Sequence, residues 1–354
     1  MNERENYLRA VKFEGPEHIP VNFWFNGSCW NNYDQDDLFD LKEKHPLLFP
    51  NFQRPDEPIE PRGRPWQRED ERYTDPWGCV WETSEECITG SVVEHPLEHW
   101  EDFADYLPPN PAKTKGRMPE GSLDWDEEAE RIQRQKERGR LTSGSLGHGH
   151  NWLRLIYLRG YENVLLDMSD DEPRLRELIG MIESFFLYIV RRYMEMGVDR
   201  MHYGEDLGMQ HGPMMSPAHF KKYLKPTWDR LMKPAREAGC VISMHSDGDI
   251  RDLAEDLLDL GVQCLNIQDL VNGIDWIRDN LKGRVCLALD IDRQNVVRFG
   301  TPEEVRDLIR EEVEKLSSPR GGLMMQADIY PGIPVRNLDA LMTALEDFCY
   351  RNKL

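Results

Sequence analysis

The sequence predicts an α/β fold of the (β/α)8 TIM-barrel class, with an N-terminal excursion that contains a small β-hairpin. Three observations point there. After Gly139, short β-rich runs alternate with long helical patterns, which implies parallel strands joined by right-handed crossovers. Each run ends in polar residues, as expected where strand ends converge on an active-site mouth. The glycine fingerprint of an open dinucleotide-binding sheet is missing; Ser143-Gly144-Ser145-Leu146-Gly147 comes nearest, with the wrong spacing. At 354 residues, a single barrel domain over 1–354 accounts for the chain.

The elements follow in order. Tyr7, Leu8 and Val11 have helical spacing over Glu3–Phe13, and Gly15-Pro16 ends that helix before a strand at Ile19–Phe25. Residues 27–110 form a surface excursion, since prolines at 46, 50, 55, 58, 61 and 65 preclude continuous regular structure. Within it, Asp75–Trp81 and Cys87–Val93 read as an antiparallel pair. Asp124–Arg138 is a charged, solvated helix. Strands are then expected at Arg140–Ser143, Asp199–Tyr203, Cys240–Met244, Gln263–Ile267, Val285–Leu289 and Leu323–Gln326. Helices are expected at Tyr161–Met196, Pro217–Ala238, Ile250–Leu260, Ile274–Leu281, Pro302–Leu316 and Asn337–Arg351. Glu172-Pro173, Ser216-Pro217 and Thr301-Pro302 supply helix starts. That makes seven strands, with an eighth left unplaced.

Composition narrows the partners. A net charge of −21 argues against nucleic acid and against anionic membranes, because phosphate binding needs a basic surface. No apolar run approaches the roughly 20 residues that span a bilayer, and the first residues lack the pattern of a signal peptide. The seven cysteines are scattered without a Cys-x-x-Cys; Cys240, Cys264 and Cys286, in or beside apolar strand-like runs, read as buried core residues in a reducing compartment, consistent with a cytoplasmic protein.

The polar strand ends carry the candidate chemistry. His245 and Asp247 follow an apolar run two residues apart and so share a side of the strand. Glu205-Asp206 ends the preceding strand, where two buried acids need a cation or hydrogen-bond donors. Asp328 ends the last. Imidazole with carboxylates suits Zn²⁺ or another divalent cation, giving a candidate metal set of His245, Glu205, Asp247 and Asp328. Two plainer readings stay open: His245 as a hydrogen-bonded core residue, and Asp247 as a helix N-cap. In the glycine-rich stretch Thr142–Trp152 the glycines allow the backbone to approach a bound ligand, with His148 and His150 as substrate-binding groups or a metal pair; the plainer reading, a mobile lid, stays open. Trp24, Phe25, Trp152, Tyr203 and Gln268, at or near strand ends, complete the substrate-binding candidates with those histidines; the aromatics can equally be packing at the barrel mouth.

Several blocks resemble the uroporphyrinogen decarboxylase superfamily: Arg9-Ala10-Val11 with Ile19-Pro20-Val21, Asp75-Pro76-Trp77-Gly78, Gly204-Glu205-Asp206-Leu207-Gly208, Met215-Ser216-Pro217, His245-Ser246-Asp247-Gly248, Asp292-Arg293-Gln294 and Gly300-Thr301-Pro302-Glu303-Glu304-Val305. The resemblance implies a TIM-type barrel that is either a cofactor-free porphyrinogen decarboxylase or a zinc-dependent methyltransferase working with a corrinoid on a partner protein. The decarboxylases carry arginines after the first strand; here Asn22–Gly27 holds no cation. The methyltransferases use His-x-Cys and a late cysteine; here Asp247 stands at the first cysteine position, and Ala327 or Asp328 at the second.

The expected function is therefore demethylating methyl transfer. A small methylated substrate, such as a methoxylated compound, would give its methyl to a corrinoid on a separate protein. His245, Glu205 and Asp328 would be catalytic, holding a cation or acting as acid. A homodimer is compatible with the chain. The alternatives are a decarboxylase or other lyase acting on a different acid, and a binding or scaffold protein that kept the fold without the chemistry.

Overall fold

A computed structural model describes residues 1–351. Seven strands succeed one another along the chain, separated by helices: β1 (Val21–Phe25), β2 (Ser143–His148), β3 (Arg200–Gly204), β4 (Val241–Ser246), β5 (Cys264–Gln268), β6 (Cys286–Asp290) and β7 (Leu323–Ile329). The architecture is α/β with parallel strand pairing, the pattern of barrel folds; no eighth strand of this set is found among the described residues.

The chain divides into two compact units. Unit 1 comprises Met1–Glu69, Ser84–Thr89 and Asn266–Leu354, and unit 2 comprises Asp70–Thr83 and Gly90–Leu265. In unit 1, β1 pairs in parallel with β7, and β7 with β6. In unit 2, β3 lies between β2 and β4, parallel to both. Unit 2 also holds a small antiparallel sheet in which Val80–Glu82 pairs with both Tyr73–Thr74 and Ser91–Glu94. The segment Asp75–Cys79, read from sequence as strand, is a turn: Asp75 Oδ1 accepts the N–H groups of Trp77 and Cys79 at 2.9 and 3.1 Å.

Several boundaries move for local reasons. The helical pattern expected over Tyr161–Met196 is cut into Tyr161–Asp170 and Pro173–Met196, because Asp171 takes the left-handed conformation (φ 56°) and Pro173 starts afresh. The loop expected at Thr142–Trp152 is strand as far as His148, its glycines allowing close packing: a Cβ on Gly144 would stand 2.5 Å from the Tyr193 ring. β4 runs on through Ser246 and β7 through Ile329, so His245 and Asp328 are strand residues. Residues 27–65 are not irregular throughout, since Gln35–Lys44 is a helix capped by Asp34. All seven cysteines are buried free thiols. Among the described residues, no helix is long and apolar enough to cross a membrane.

Unit 1 buries a pair of acids. Asp269, directly after β5, accepts the N–H of Asp292 at 2.8 Å, and Glu312 of the helix Pro302–Leu316 lies against it with no exposed surface. Burial, then the charges of Asp269 and Asp292, raise the Glu312 carboxyl well above the ordinary 4.5; burial likewise raises Asp269. A group with a raised folded pKa binds more protons folded than unfolded, so its stability contribution is full below the unfolded pKa and is lost as pH rises. We expect the melting temperature to decline from pH 5 to pH 9 more steeply in the native protein than in Glu312→Gln. Equal slopes in a thermal-denaturation series would show that the pair is not sharing a proton.

Candidate functional site

Unit 2 gathers its titratable groups at the C-terminal ends of β2, β3 and β4. The register places Gly204 beside both His148 and His245, which brings residues far apart in sequence to one level. Asp206, two residues beyond β3, stands between the two imidazoles. Its Oδ1 is 3.0 Å from His148 Nε2 and 3.4 Å from His245 Nε2, and His245 Nε2 is 3.6 Å from Asp247 Oδ1. Asp206 Oδ1 also accepts the N–H of Asp247 at 3.2 Å. Burial would raise the Asp206 carboxyl, but hydrogen bonds from His148 and His245 hold it far below the usual carboxylate range.

The donor atoms of His148, Asp206 and His245 all lie within 4.8 Å of one another. Ligands of a tetrahedral zinc ion at roughly 2.0–2.1 Å stand about 3.3 Å apart, so the two contacts at 3.0 and 3.4 Å fit a single divalent ion. Two nitrogens and an oxygen leave a fourth position open. With no thiolate in the set, an ion bound there would be a stronger Lewis acid than one in a cysteine site.

Glu205 is employed differently. It has no exposed surface, and its carboxylate accepts N–H bonds from Asn151 (2.9 Å), Trp152 (2.9 Å) and Leu153 (3.1 Å). These are donors at the start of the helix Trp152–Arg159, which Asn151 does not cap, since its side-chain oxygen accepts from Trp228 Nε1 instead. Glu205 is thus a helix cap delivered from the neighbouring strand. Burial pushes its pKa up to about 7, against the pull of the backbone N–H bonds and His148.

The remaining sequence candidates separate by sheet alternation. His150, Trp152 and Tyr203 are fully buried on the helix side. His150 Nδ1 bonds Gly204 O at 3.0 Å, its ring lies among Phe186, Tyr203 and Trp228, and burial lowers its pKa to about 4. Tyr203 donates its hydroxyl to Leu231 O at 3.2 Å. The expectation that these three line a substrate pocket is therefore corrected: they are packing groups, Tyr203 on the helix-facing side of its strand, His150 in the bend after β2 and Trp152 at the start of the following helix. Asp247 caps no helix; the next turn begins at Arg251, beyond Gly248 and Asp249.

In unit 1, Trp24 is 49% exposed and Phe25 is buried. Gln268 is half-buried at the end of β5. Asp328 accepts from Gln326 Nε2 at 2.9 Å, and Gln326 Oε1 accepts from Asn22 Nδ2 at 3.0 Å.

Sequence reasoning missed two residues. Asp206 was visible only as half of an acid pair, and alternation from His202 through Gly204 would have placed it on the same side as His245. His202 lies one pleat below, with Nδ1 3.1 Å from Ser243 Oγ, and burial followed by the charge of Arg200 keeps it neutral. Together with Ser143, Ser145 and Arg200, it makes this sheet face polar where barrel interiors are usually filled by branched apolar side chains.

The family comparison agrees with this architecture. Residues 80–348 match the family model described as "Uroporphyrinogen decarboxylase (URO-D)", and the chain belongs to that family. Among solved structures, it is similar to a methyltransferase from Methanosarcina mazei, with a TM-score of 0.66 and 15% identity over 98% of each chain. Weaker likenesses are a B12-independent methionine synthase from Shewanella sp. W3-18-1 (TM-score 0.40, 11% identity, 65% of this chain and 66% of that one) and a sugar phosphate isomerase/epimerase from Parabacteroides distasonis (TM-score 0.35, 12% identity, 67% and 80%). No curated protein matches. At these identities the structural likenesses establish the fold alone.

Proposed function

We propose that this member of the uroporphyrinogen decarboxylase family is a demethylating methyltransferase. It takes a methyl group from a small methylated substrate, such as a methoxylated compound, and passes it to a corrinoid carried on a separate protein. The observation that carries the reading is the His148–Asp206–His245 trio, a divalent-cation ligand set at strand ends, where barrel enzymes keep their chemistry. The end-to-end fold likeness to a methyltransferase supports the same choice.

In this reading His148, Asp206 and His245 hold the cation, Zn²⁺ being the ion that best suits two imidazoles and a carboxylate, and Asp247 is the nearest further oxygen. A cation bound there supplies Lewis acidity toward the oxygen or nitrogen that loses the methyl. Asp206, whose carboxyl the two histidines hold far below the usual range, supplies the negative charge that such a cation would meet between the two Nε2 atoms. Glu205 fixes the backbone at Asn151–Leu153, which follows His148. The reading takes 1–354 as one catalytic domain in a cytoplasmic setting, which the seven free thiols suit.

The test is metal analysis of protein purified without chelator, joined to transfer of methyl from a panel of methoxylated and N-methylated compounds to cob(I)alamin. Near-stoichiometric zinc, lost in His245→Ala together with transfer, is the expected result. Absence of metal with transfer unchanged in His245→Ala would refute the site. Release of carbon dioxide from an acid without any corrinoid would favour the decarboxylase reading, against which stands the complete enclosure of Glu205.

A further inference from the structure

Unit 1 holds a lysine in unusual company. Lys42, on the helix Gln35–Lys44, lies with its Nζ over four aromatic rings: Trp30 at 4.7 Å, Phe52 at 5.2 Å, and Phe25 and Phe49 at 5.5 Å each. Phe25 is the last residue of β1 and forms a buried floor, while Trp30, Phe49 and Phe52 are half-buried walls that keep part of their surface in water. The rings brace one another, with Phe25 against both Trp30 and Phe49.

The amine has no carboxylate or carbonyl partner among the described residues, although it sits in a chain with 65 acids against 44 bases. Its neighbours behave in the ordinary way. Lys44 holds both oxygens of Asp339 at 2.6 and 2.8 Å, and Arg54 bonds Asp36, Asp40 and Glu43. The same helix carries Asp36, Asp37, Asp40 and Glu43, and none of them reaches Lys42. Burial lowers the lysine's proton affinity, so the desolvation of this cation is not offset by a counter-charge. Cation–π contact recovers part of that cost and leaves the N–H donors unspent.

We infer that the aromatic-walled amine of Lys42 is a binding site for a small flat anion, an aromatic or otherwise planar carboxylate. The carboxylate accepts charge-assisted hydrogen bonds from Nζ, and the planar body lies on the half-exposed rings. A cationic ligand is disfavoured because the lysine already fills the position that such rings offer to a cation. The inference stands on unit 1 alone and needs neither a metal nor methyl transfer, so it can fail while the proposed function holds, and the reverse.

The test titrates full-length, metal-stripped protein with benzoate and 2-naphthoate by calorimetry. The uncharged benzyl alcohol and tetramethylammonium serve as controls, and Lys42 modification by a methylating reagent is followed by peptide mass spectrometry. We expect the carboxylates to bind and to protect Lys42. Lys42→Met should weaken binding at least tenfold with an unchanged circular dichroism spectrum, whereas Lys42→Arg should keep it within a few-fold. The inference is overturned by absence of carboxylate binding, by equal binding to Lys42→Met, by equal binding of benzyl alcohol, or by tetramethylammonium taking the site instead.

Discussion

Asp206→Asn is expected to weaken divalent-cation binding by more than about 100-fold, beyond the 10–100-fold typical of an outer-shell partner. The substitution is nearly isosteric, and an asparagine oxygen can still accept the N–H of Asp247 that Asp206 holds at 3.2 Å. What disappears is the negative charge between two imidazoles whose Nε2 atoms stand 3.0 and 3.4 Å away. That charge is present throughout the working pH range, because the two histidines hold the carboxyl low despite its burial. Methyl transfer should fall with metal occupancy and should not recover at neutral pH. Zinc affinity by competition with a chromophoric chelator, read beside the melting curve of the metal-free protein, checks this. Unchanged affinity would mean that the trio is a hydrogen-bonded cluster and that any cation sits elsewhere.

The route to this residue shows what the sequence could express. Alternating β and helical runs were legible because parallel strands and their crossovers have distinct periods, and six of the seven strands lie within three residues of their expected ends. Polar strand termini pointed to His245 for the same reason. The sequence could not show which of two adjacent acids faces which way. Glu205 and Asp206 differ by one position, and a strand sends consecutive side chains to opposite faces: one into the helix layer, the other toward the histidines. His148 reads as part of a mobile loop because three glycines, at 144, 147 and 149, suggest freedom. In the fold, Gly144 is instead needed where the backbone passes close to Tyr193. Lys42 escaped notice because an aromatic cluster assembled from residues 25, 30, 49 and 52 has no local period.

Glu205→Ala is expected to destabilise unit 2 by about 3–5 kcal/mol. Three backbone N–H groups, of Asn151, Trp152 and Leu153, would lose their acceptor in a place with no access to solvent. A buried donor left unsatisfied costs roughly 1–3 kcal/mol, and loss of an ordinary cap costs about 1 kcal/mol. The residual cavity adds to this. At the entropy of unfolding usual for a chain of this size, the loss corresponds to a melting shift on the order of 5 °C. Glu205→Gln keeps one acceptor oxygen but turns an NH2 group toward the same donors, so it should fall between alanine and the native residue. Because Asn151 stands three residues after His148, the last residue of β2, metal affinity should fall in the same order as stability, with Asp206 itself unaltered. A catalytic Glu205 predicts the opposite separation: stability near native in both variants, and turnover lost in both. Melting curves and zinc titrations of the two proteins decide between a carboxylate that holds the backbone beside the site and one that acts within it.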